Sequence, residues 1–263
     1  MKITKYSINT KKIKGNIKIA CVSDLHGRPS KKVIAALQSV SPDIILLAGD
    51  IFEVANKYME ERNANSFDFL AKAIKIAPVY YCFGNHELYY SHARKKNDRI
   101  CESEMRKNYT RIIKEIGVKI INDSYTYVND IIESEILIGG IICGYDKLPS
   151  SSIEEINFDA LDEYAQKSGF KILICHYPHY YEKYLKNTDF DLIVAGHAHG
   201  GHWRIFNHGV YAPHQGLFPK YTAGIYDERF IISTGAVNNS KPIPRFFNPT
   251  EIIVININNS EEM

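Results

Sequence analysis

The amino-acid sequence predicts an α/β fold, and two observations carry that expectation. In the first half, short apolar runs of strand length alternate with segments whose apolar residues recur at helical spacing, the pattern of parallel βαβ units. From Val118 onward, short alternating strands separated by turn residues replace that pattern, as in antiparallel pairing.

The elements follow in order. Ile17 to Val22 is the first apolar run, and it ends in Ser23-Asp24-Leu25-His26-Gly27. Pro29-Ser30 opens a helix with Val33, Ile34 and Leu37 spaced for one buried face. The second run, Ile44 to Ala48, ends in Gly49-Asp50. A helical pattern from Ser66 to Ile76 then sets Phe67, Leu70, Ala71 and Ile74 on one side. The third run, Val79 to Phe83, ends in Gly84-Asn85-His86-Glu87, and the charged stretch from Tyr89 to Lys114 reads as helix. Tyr125 to Val128 and Glu135 to Ile142 read as strands flanking a turn at Asn129-Asp130, in a second sheet or at the far edge of the first. One helix is expected in the polar stretch that ends at Gly169. Ile172 to Cys175 ends in His176-Tyr177-Pro178, and Leu192 to Ala195 runs into Gly196-His197-Ala198-His199-Gly200-Gly201-His202. Ile225-Tyr226 and Phe230 to Ser233 form a hairpin around Asp227-Glu228, and Ile252 to Ile257 alternates near the end. With no repeat and no linker-like tract, a single domain over residues 1–263 is expected.

A hydrophobic fraction of 45% and a charged fraction of 24% are ordinary for a soluble globular protein. The formal charge of +2 gives no strong pull toward nucleic acid or membrane. Lys2, Lys5, Lys11, Lys12, Lys14 and Lys18 make the N-terminal stretch basic, and no apolar run follows that would serve as a signal peptide or a span. The expected location is the cytoplasm, with these lysines available for peripheral contact with an anionic membrane. The five cysteines form no C-x-x-C motif, so buried reduced thiols are expected rather than a disulfide framework or a zinc ribbon.

Five apolar runs therefore end in polar clusters: Asp24/His26, Asp50, Asn85/His86, His176 and His197/His199. Ligands of open α/β sheets bind at the C-terminal strand ends, so strands of one sheet would bring all eight side chains together. Taken alone, the glycine- and histidine-rich stretch from Ala195 to His202 also admits a surface turn as the lesser reading; the convergence favours metal ligation. The donors are oxygen and imidazole nitrogen without thiolate, which suits Mn²⁺, Fe or Zn²⁺. They are too many for one such ion and about right for two, with Asp50 shared.

The motifs Asp24-Leu25-His26, Gly49-Asp50, Gly84-Asn85-His86-Glu87, His176 and Gly196-His197-Ala198-His199 resemble, in order, those of the calcineurin-like metallophosphoesterases. Gly216-Leu217-Phe218-Pro219-Lys220-Tyr221, with Pro244-Arg245-Phe246-Phe247, resembles a bacterial subgroup that includes UDP-2,3-diacylglucosamine pyrophosphohydrolase-like phosphoesterases. The resemblance implies a sandwich of two mixed β-sheets flanked by helices. It implies that Asp24, His26, Asp50 and His199 hold one divalent metal and that Asp50, Asn85, His176 and His197 hold the other, manganese first, with iron or zinc as alternatives. It also implies that His86 faces the substrate. Two positions depart from the pattern: Glu53 stands where the family often has Asp, and His202 where the subgroup has Gln.

The activity so expected is hydrolysis of a small-molecule phosphodiester or pyrophosphate by direct attack of a metal-bridging hydroxide. His86, positioned by Glu87, would protonate the leaving oxygen. A nuclease with the same metal site is the alternative, although the near-neutral charge leaves no stable nucleic-acid partner expected; a non-catalytic metal-binding scaffold fits poorly with a complete motif set. Tyr177, Tyr180, Tyr181 and Tyr184 around His179 read either as a substrate wall or as a packed face, and Arg28 and Arg245 are candidates for bidentate phosphate contact. The oligomeric state is left open.

Overall fold

The computed structural model describes residues 1–53, 59–88, 107–128, 131–142, 156–237 and 244–260. The Asn129-Asp130 turn, Cys101, Cys143 and the charged stretch before Lys107 lie outside them.

The chain opens with β1 (Lys2–Thr10) and β2 (Ile17–Val22), then α1 (Lys31–Val40), β3 (Ile44–Ala48), α2 (Met59–Ala73) and β4 (Val79–Cys82). The turn α3 (Asn85–Leu88) leads to a helix α4 over 107–116, then β5 (Lys119–Ile120), β6 (Ser124–Val128) and β7 (Ile136–Ile141). Next come α5 (Phe158–Ala165), β8 (Phe170–Cys175) and β9 (Leu192–Ala195). Two small hairpins follow, β10 (Arg204–Ile205) with β11 (His208–Gly209) and β12 (Tyr211–Ala212) with β13 (Gly216–Leu217). The expected hairpin β14 (Gly224–Tyr226) with β15 (Phe230–Ile232) and the final β16 (Glu251–Asn259) complete the chain.

These strands make two mixed sheets of six, flanked by helices. The first runs β1-β16-β2-β3-β4-β5, and the second β14-β15-β9-β8-β7-β6. β2, β3, β4 and β5 are parallel, as the βαβ pattern predicts. In the second sheet β7, β8, β9 and β15 are parallel, and β6 and β14 close its edges in antiparallel pairing. The Val118–Cys143 region is therefore divided: β5 is an edge of the first sheet, and β6 and β7 belong to the second.

Strands buried on both faces explain the continuous apolar runs. Ile136, Ile138, Ile172, Ile174, Leu192 and Val194 turn inward and pack with Ile19, Leu46 and Tyr80 of the first sheet in one core. Their neighbours Leu137, Leu173 and Ile193 face outward, under Tyr164, Tyr181 and Phe230. Each fully buried Ile or Leu stabilises the fold by about 1.5–3 kcal/mol relative to exposure. Cys21, Cys82 and Cys175 are buried thiols.

The basic N-terminal stretch forms a strand that the sequence reading did not assign. β1 pairs in parallel with β16 from Lys2 opposite Glu251 to Thr10 opposite Asn259. Ile3, Tyr6 and Ile8 are half-buried, while Lys2, Lys5 and Ser7 are exposed. Lysines along an edge discourage pairing with another chain, which is the physical use of these charges here. Among the described residues no helix is long and apolar enough to cross a membrane.

The two sheets meet at Gly140. A Cβ there would lie 2.6 Å from Cys82 Sγ and 2.7 Å from Ile121 O. Gly140→Val should therefore lower stability by about 1–3 kcal/mol through overpacking. Urea unfolding measures this, and an unchanged midpoint would show that the sheets do not meet at this residue.

Candidate metal centre

The five polar clusters sit on two sheets, not one: β2, β3 and β4 end in Asp24/His26, Asp50 and Asn85/His86, while β8 and β9 end in His176 and His197/His199. The clusters meet because the C-terminal edges of both parallel sets share a rim. Backbone bonds zip the loops together, with Asp24 N donating to Gly49 O at 3.0 Å and His26 N to Asp50 O at 2.9 Å. Across the seam, His197 N donates to the Asp24 carboxylate at 3.1 and 3.2 Å.

This turn-by-turn geometry is strained. Asp24, His26, Asp50, His197 and His199 all hold φ between 47° and 63°. Left-handed geometry costs a non-glycine residue on the order of 1–3 kcal/mol, and it clusters at functional sites. Two glycines make room for the His176 ring and the Asp50 carboxylate. A Cβ on Gly49 would strike the His176 ring, and one on Gly84 would strike the Asp50 carboxylate.

Asp50, 1% exposed, is the hub. Its Oδ1 accepts from His86 N at 2.8 Å. Its Oδ2 lies 3.2 Å from His176 Nε2 and 3.9 Å from the Nε2 atoms of both His26 and His86. On one side, Asp24, His26 and His199 form a donor group, with His26 Nε2 and His199 Nε2 3.3 Å apart. On the other, Asp50, His176 and His197 form a second group. His26, Asp50 and His86 form a third.

The donors fit metal ions. His176 Nδ1 donates to Ala48 O at 2.7 Å, which aims Nε2 at Asp50. His176 Nε2, His197 Nε2 and Asn85 Oδ1 are buried atoms with no hydrogen-bond partner among the described residues. Buried polar atoms are seldom left so, and these three are the second predicted ligand set apart from Asp50. Burial, with the charge of His176 beside it, holds His197 well below the usual imidazole range; burial and His26 do the same for His199. Both are thus neutral, the form that ligates metal. Burial also disfavours charge on His176, but Asp50 outweighs it and pushes the pKa up to about 10. The closest pair, His176 and Asp50, demands a cation between its atoms, a proton or a metal ion.

The structure corrects the expected partner of His86. Glu87 does not orient it. The Glu87 carboxylate is buried and accepts from Asp50 N and Phe52 N at 2.9 Å, Gly84 N at 2.7 Å and Tyr81 OH at 2.6 Å. It braces the backbone of two motifs. Glu53, the residue that departs from the family pattern, takes the expected place, with Oε1 2.8 Å from His86 Nδ1. Glu53 Oε2 stands 3.4 Å from His26 Nδ1 and 3.5 Å from the Arg62 guanidinium. Burial lowers the pKa of His86, but Asp50 and Glu53 together raise it to about 9.

Other expectations resolve as follows. Tyr180 and Tyr181 are fully buried in the core, so the tyrosine cluster is a packed face, and only Tyr177 touches the site, its ring 4.4 Å from that of His197. His214 stands 5.3 Å from His197, ring to ring, and 5.3 Å from His179. The His202 ring is 6.0 Å from that of His199 and 5.8 Å from that of Tyr211. Arg245 does not present an open fork: its guanidinium donates to Thr234 O at 2.7 Å and Val237 O at 2.8 Å and lies 3.3 Å from His199 Nδ1. Asn248, which the sequence reading passed over, donates to His199 O at 2.7 Å and His202 O at 3.0 Å. Nothing in its sequence context distinguishes it, since its partners lie 46 residues or more away.

The sequence model described as calcineurin-like phosphoesterase matches residues 17–201, from β2 to the turn that follows His199. The chain belongs to the calcineurin-like phosphoesterase family. It is 25% identical over 256 residues to the uncharacterized metallophosphoesterase Cj0846 of Campylobacter jejuni, covering 93% of this chain and 60% of that one. It is 27% identical over 206 residues to the phosphodiesterase YaeI of Escherichia coli, covering 75% and 64% respectively. The chain thus spans less than two thirds of either relative. The solved structure TT1561 of Thermus thermophilus superposes with a TM-score of 0.42 at 15% identity, over 68% of this chain and 81% of that one. Arg245 and Asn248 lie beyond the segment that the family shares.

The brace and the orienting carboxylate separate by mutation. Glu87→Ala leaves three backbone N–H groups and a buried tyrosine hydroxyl without their acceptor, and should cost about 3 kcal/mol or more. Glu53→Gln keeps an acceptor in place and should cost less than about 1.5 kcal/mol. Chemical denaturation of the two variants tests this, and equal losses would remove the distinction.

Proposed function

We propose that this chain is a dinuclear metal-dependent phosphoesterase acting on a small-molecule phosphodiester or pyrophosphate. The observation that carries the reading is the set of buried atoms without hydrogen-bond partners among the described residues, His176 Nε2, His197 Nε2 and Asn85 Oδ1, near the carboxylate of Asp50. Family membership and the name of the E. coli relative support the reaction class. The near-neutral charge favours small substrates over nucleic acid.

Asp24, His26 and His199 would hold one ion, Asn85, His176 and His197 the other, with Asp50 common to both. Two divalent cations held there would supply charge against the phosphoryl oxygens and lower the pKa of a bound water. The nitrogen and oxygen donors suit manganese, with iron or zinc as alternatives. His86 is one quarter exposed at the side chain, so its Nε2 is reachable by substrate. Glu53 accepts from Nδ1 and thereby keeps the ring turned, with a proton at Nε2 to give to the departing oxygen. Asp50 accepts from the His86 backbone, fixing the acid and the metal hub on one turn.

Elemental analysis of dialysed, reconstituted protein should find two ions per chain. Asp50→Ala should lower both occupancies, His26→Ala chiefly one and His176→Ala chiefly the other. One ion or none in the unmutated chain overturns the dinuclear reading.

His86→Asn should keep both ions and lose little activity on bis-nitrophenyl phosphate, whose leaving group departs without a proton. On an alkyl or sugar diester it should lose about two orders of magnitude or more. Equal losses on the two substrates would mean that His86 is not the acid, and loss of metal would make it a ligand.

A further inference from the structure

The candidate metal centre is bordered by a hairpin that lies beyond the segment shared with the family. The family model ends at residue 201, and β12 and β13 follow it. That hairpin meets the site at two points. The Tyr211 ring lies 5.8 Å from that of His202, which lies 6.0 Å from that of the candidate ligand His199. His214, in the loop between the two strands, has its ring 5.3 Å from that of the candidate ligand His197. The same ring is 5.1 Å from that of Tyr177 and 5.3 Å from that of His179.

His214 is exposed, yet its loop is firmly held. Gln215 Nε2 donates to Tyr221 O at 2.7 Å, and Tyr221 N donates back to Gln215 Oε1 at 3.1 Å. Gln215 N also donates to Ala212 O at 3.2 Å, closing the turn around the histidine. Tyr221 is buried beside Tyr181 and Phe230, which fastens the loop to the outer layer of the second sheet. His214 itself holds φ 60°, a left-handed turn position that histidine tolerates better than most residues. The imidazole is therefore in place before anything binds, and little ordering is left to oppose a contact. Metal ligation does not account for its position, since among the described residues it belongs to none of the three donor groups.

We infer, resting on the phosphoesterase reading, that His214 is a substrate-binding residue whose ring N–H donates to a phosphoryl oxygen beside His197. Imidazole carries an N–H in either neutral tautomer and in the charged form, so it can donate to an oxyanion in any of them. His86 borders the donor group of His26, with ring centroids 4.5 Å apart, whereas His214 borders that of His197. The two reachable imidazoles thus stand beside different donor groups and divide the work. His86 serves the departing oxygen, and His214 holds an oxygen that stays on phosphorus. A bond of that kind exists with substrate and with product phosphate alike, so it contributes to binding rather than to the chemical step.

The test titrates inorganic phosphate by calorimetry into the full chain after reconstitution with manganese. His214→Ala should bind phosphate about tenfold or more weakly than the unmutated chain, the loss expected for a hydrogen bond to a charged group. His214→Gln, which keeps an amide donor, should stay within about threefold. All three proteins should hold equal amounts of metal by elemental analysis and melt alike, because the ring is exposed and outside the donor groups. On bis-nitrophenyl phosphate, His214→Ala should raise KM about tenfold and change kcat by less than about threefold. Failure of the unmutated chain to bind phosphate, equal affinity in His214→Ala, or a fall in kcat with KM unchanged overturns the inference. So does loss of metal in His214→Ala, since the ring would then act through His197. A loss that His214→Gln does not restore makes packing of the ring the cause and overturns it as well. Phosphate binding that depends on His214, without diester hydrolysis by any of the three, would sustain the contact and count against the proposed reaction alone.

Discussion

The structure around the site depends on one buried carboxylate. Asp50 is 1% exposed, and the effective penalty for burying such a charge is several kcal/mol unless cations and donors compensate it. Every neighbouring motif serves that end. The His86 backbone donates to one oxygen, three imidazoles face the other, and Glu87 fixes the Asp50 backbone from behind. Burial works against the Asp50 charge, and His176 and His86 outweigh it, holding the carboxyl well below its usual range. The same arrangement gathers the remaining donors at distances that a bound cation would bridge.

Strain accompanies this convergence. Asp24, His26, Asp50, His197 and His199 leave their strands with left-handed backbone. Cross-sheet hydrogen bonds, such as His197 N to Asp24, hold those turns in place, and the two-sheet core anchors the strands that feed them. Glu53 then ties His86 to the candidate ligand His26 by sharing one carboxylate between two rings. That link places the candidate acid by the same network that positions a candidate ligand.

Left-handed backbone occurs elsewhere too, among other positions at the exposed Phe206, Phe218 and Phe247. Inside, strain aims polar atoms at a common centre. Outside, it aims rings at solvent.

Local pattern and residue chemistry were enough to reveal the α/β class, the βαβ succession and the hairpin around Asp227-Glu228, and to single out the seven candidate donors, because strand-length apolar runs and the polar residues that end them are local signals. The edge strand β1 escaped notice because its alternation is broken by lysines and its partner β16 lies at the other end of the chain. Only the tertiary structure divided the five strand ends between two sheets, moved the contact with His86 from Glu87 to Glu53, and brought Arg245 and Asn248 behind His199. In the Glu87 and Glu53 case both acids lie near His86 in chain or in motif, and the choice between them rests on backbone direction after β3 and β4. Sequence spacing says which residues leave a strand together; which way each side chain then points is set by the turns and by the opposing sheet.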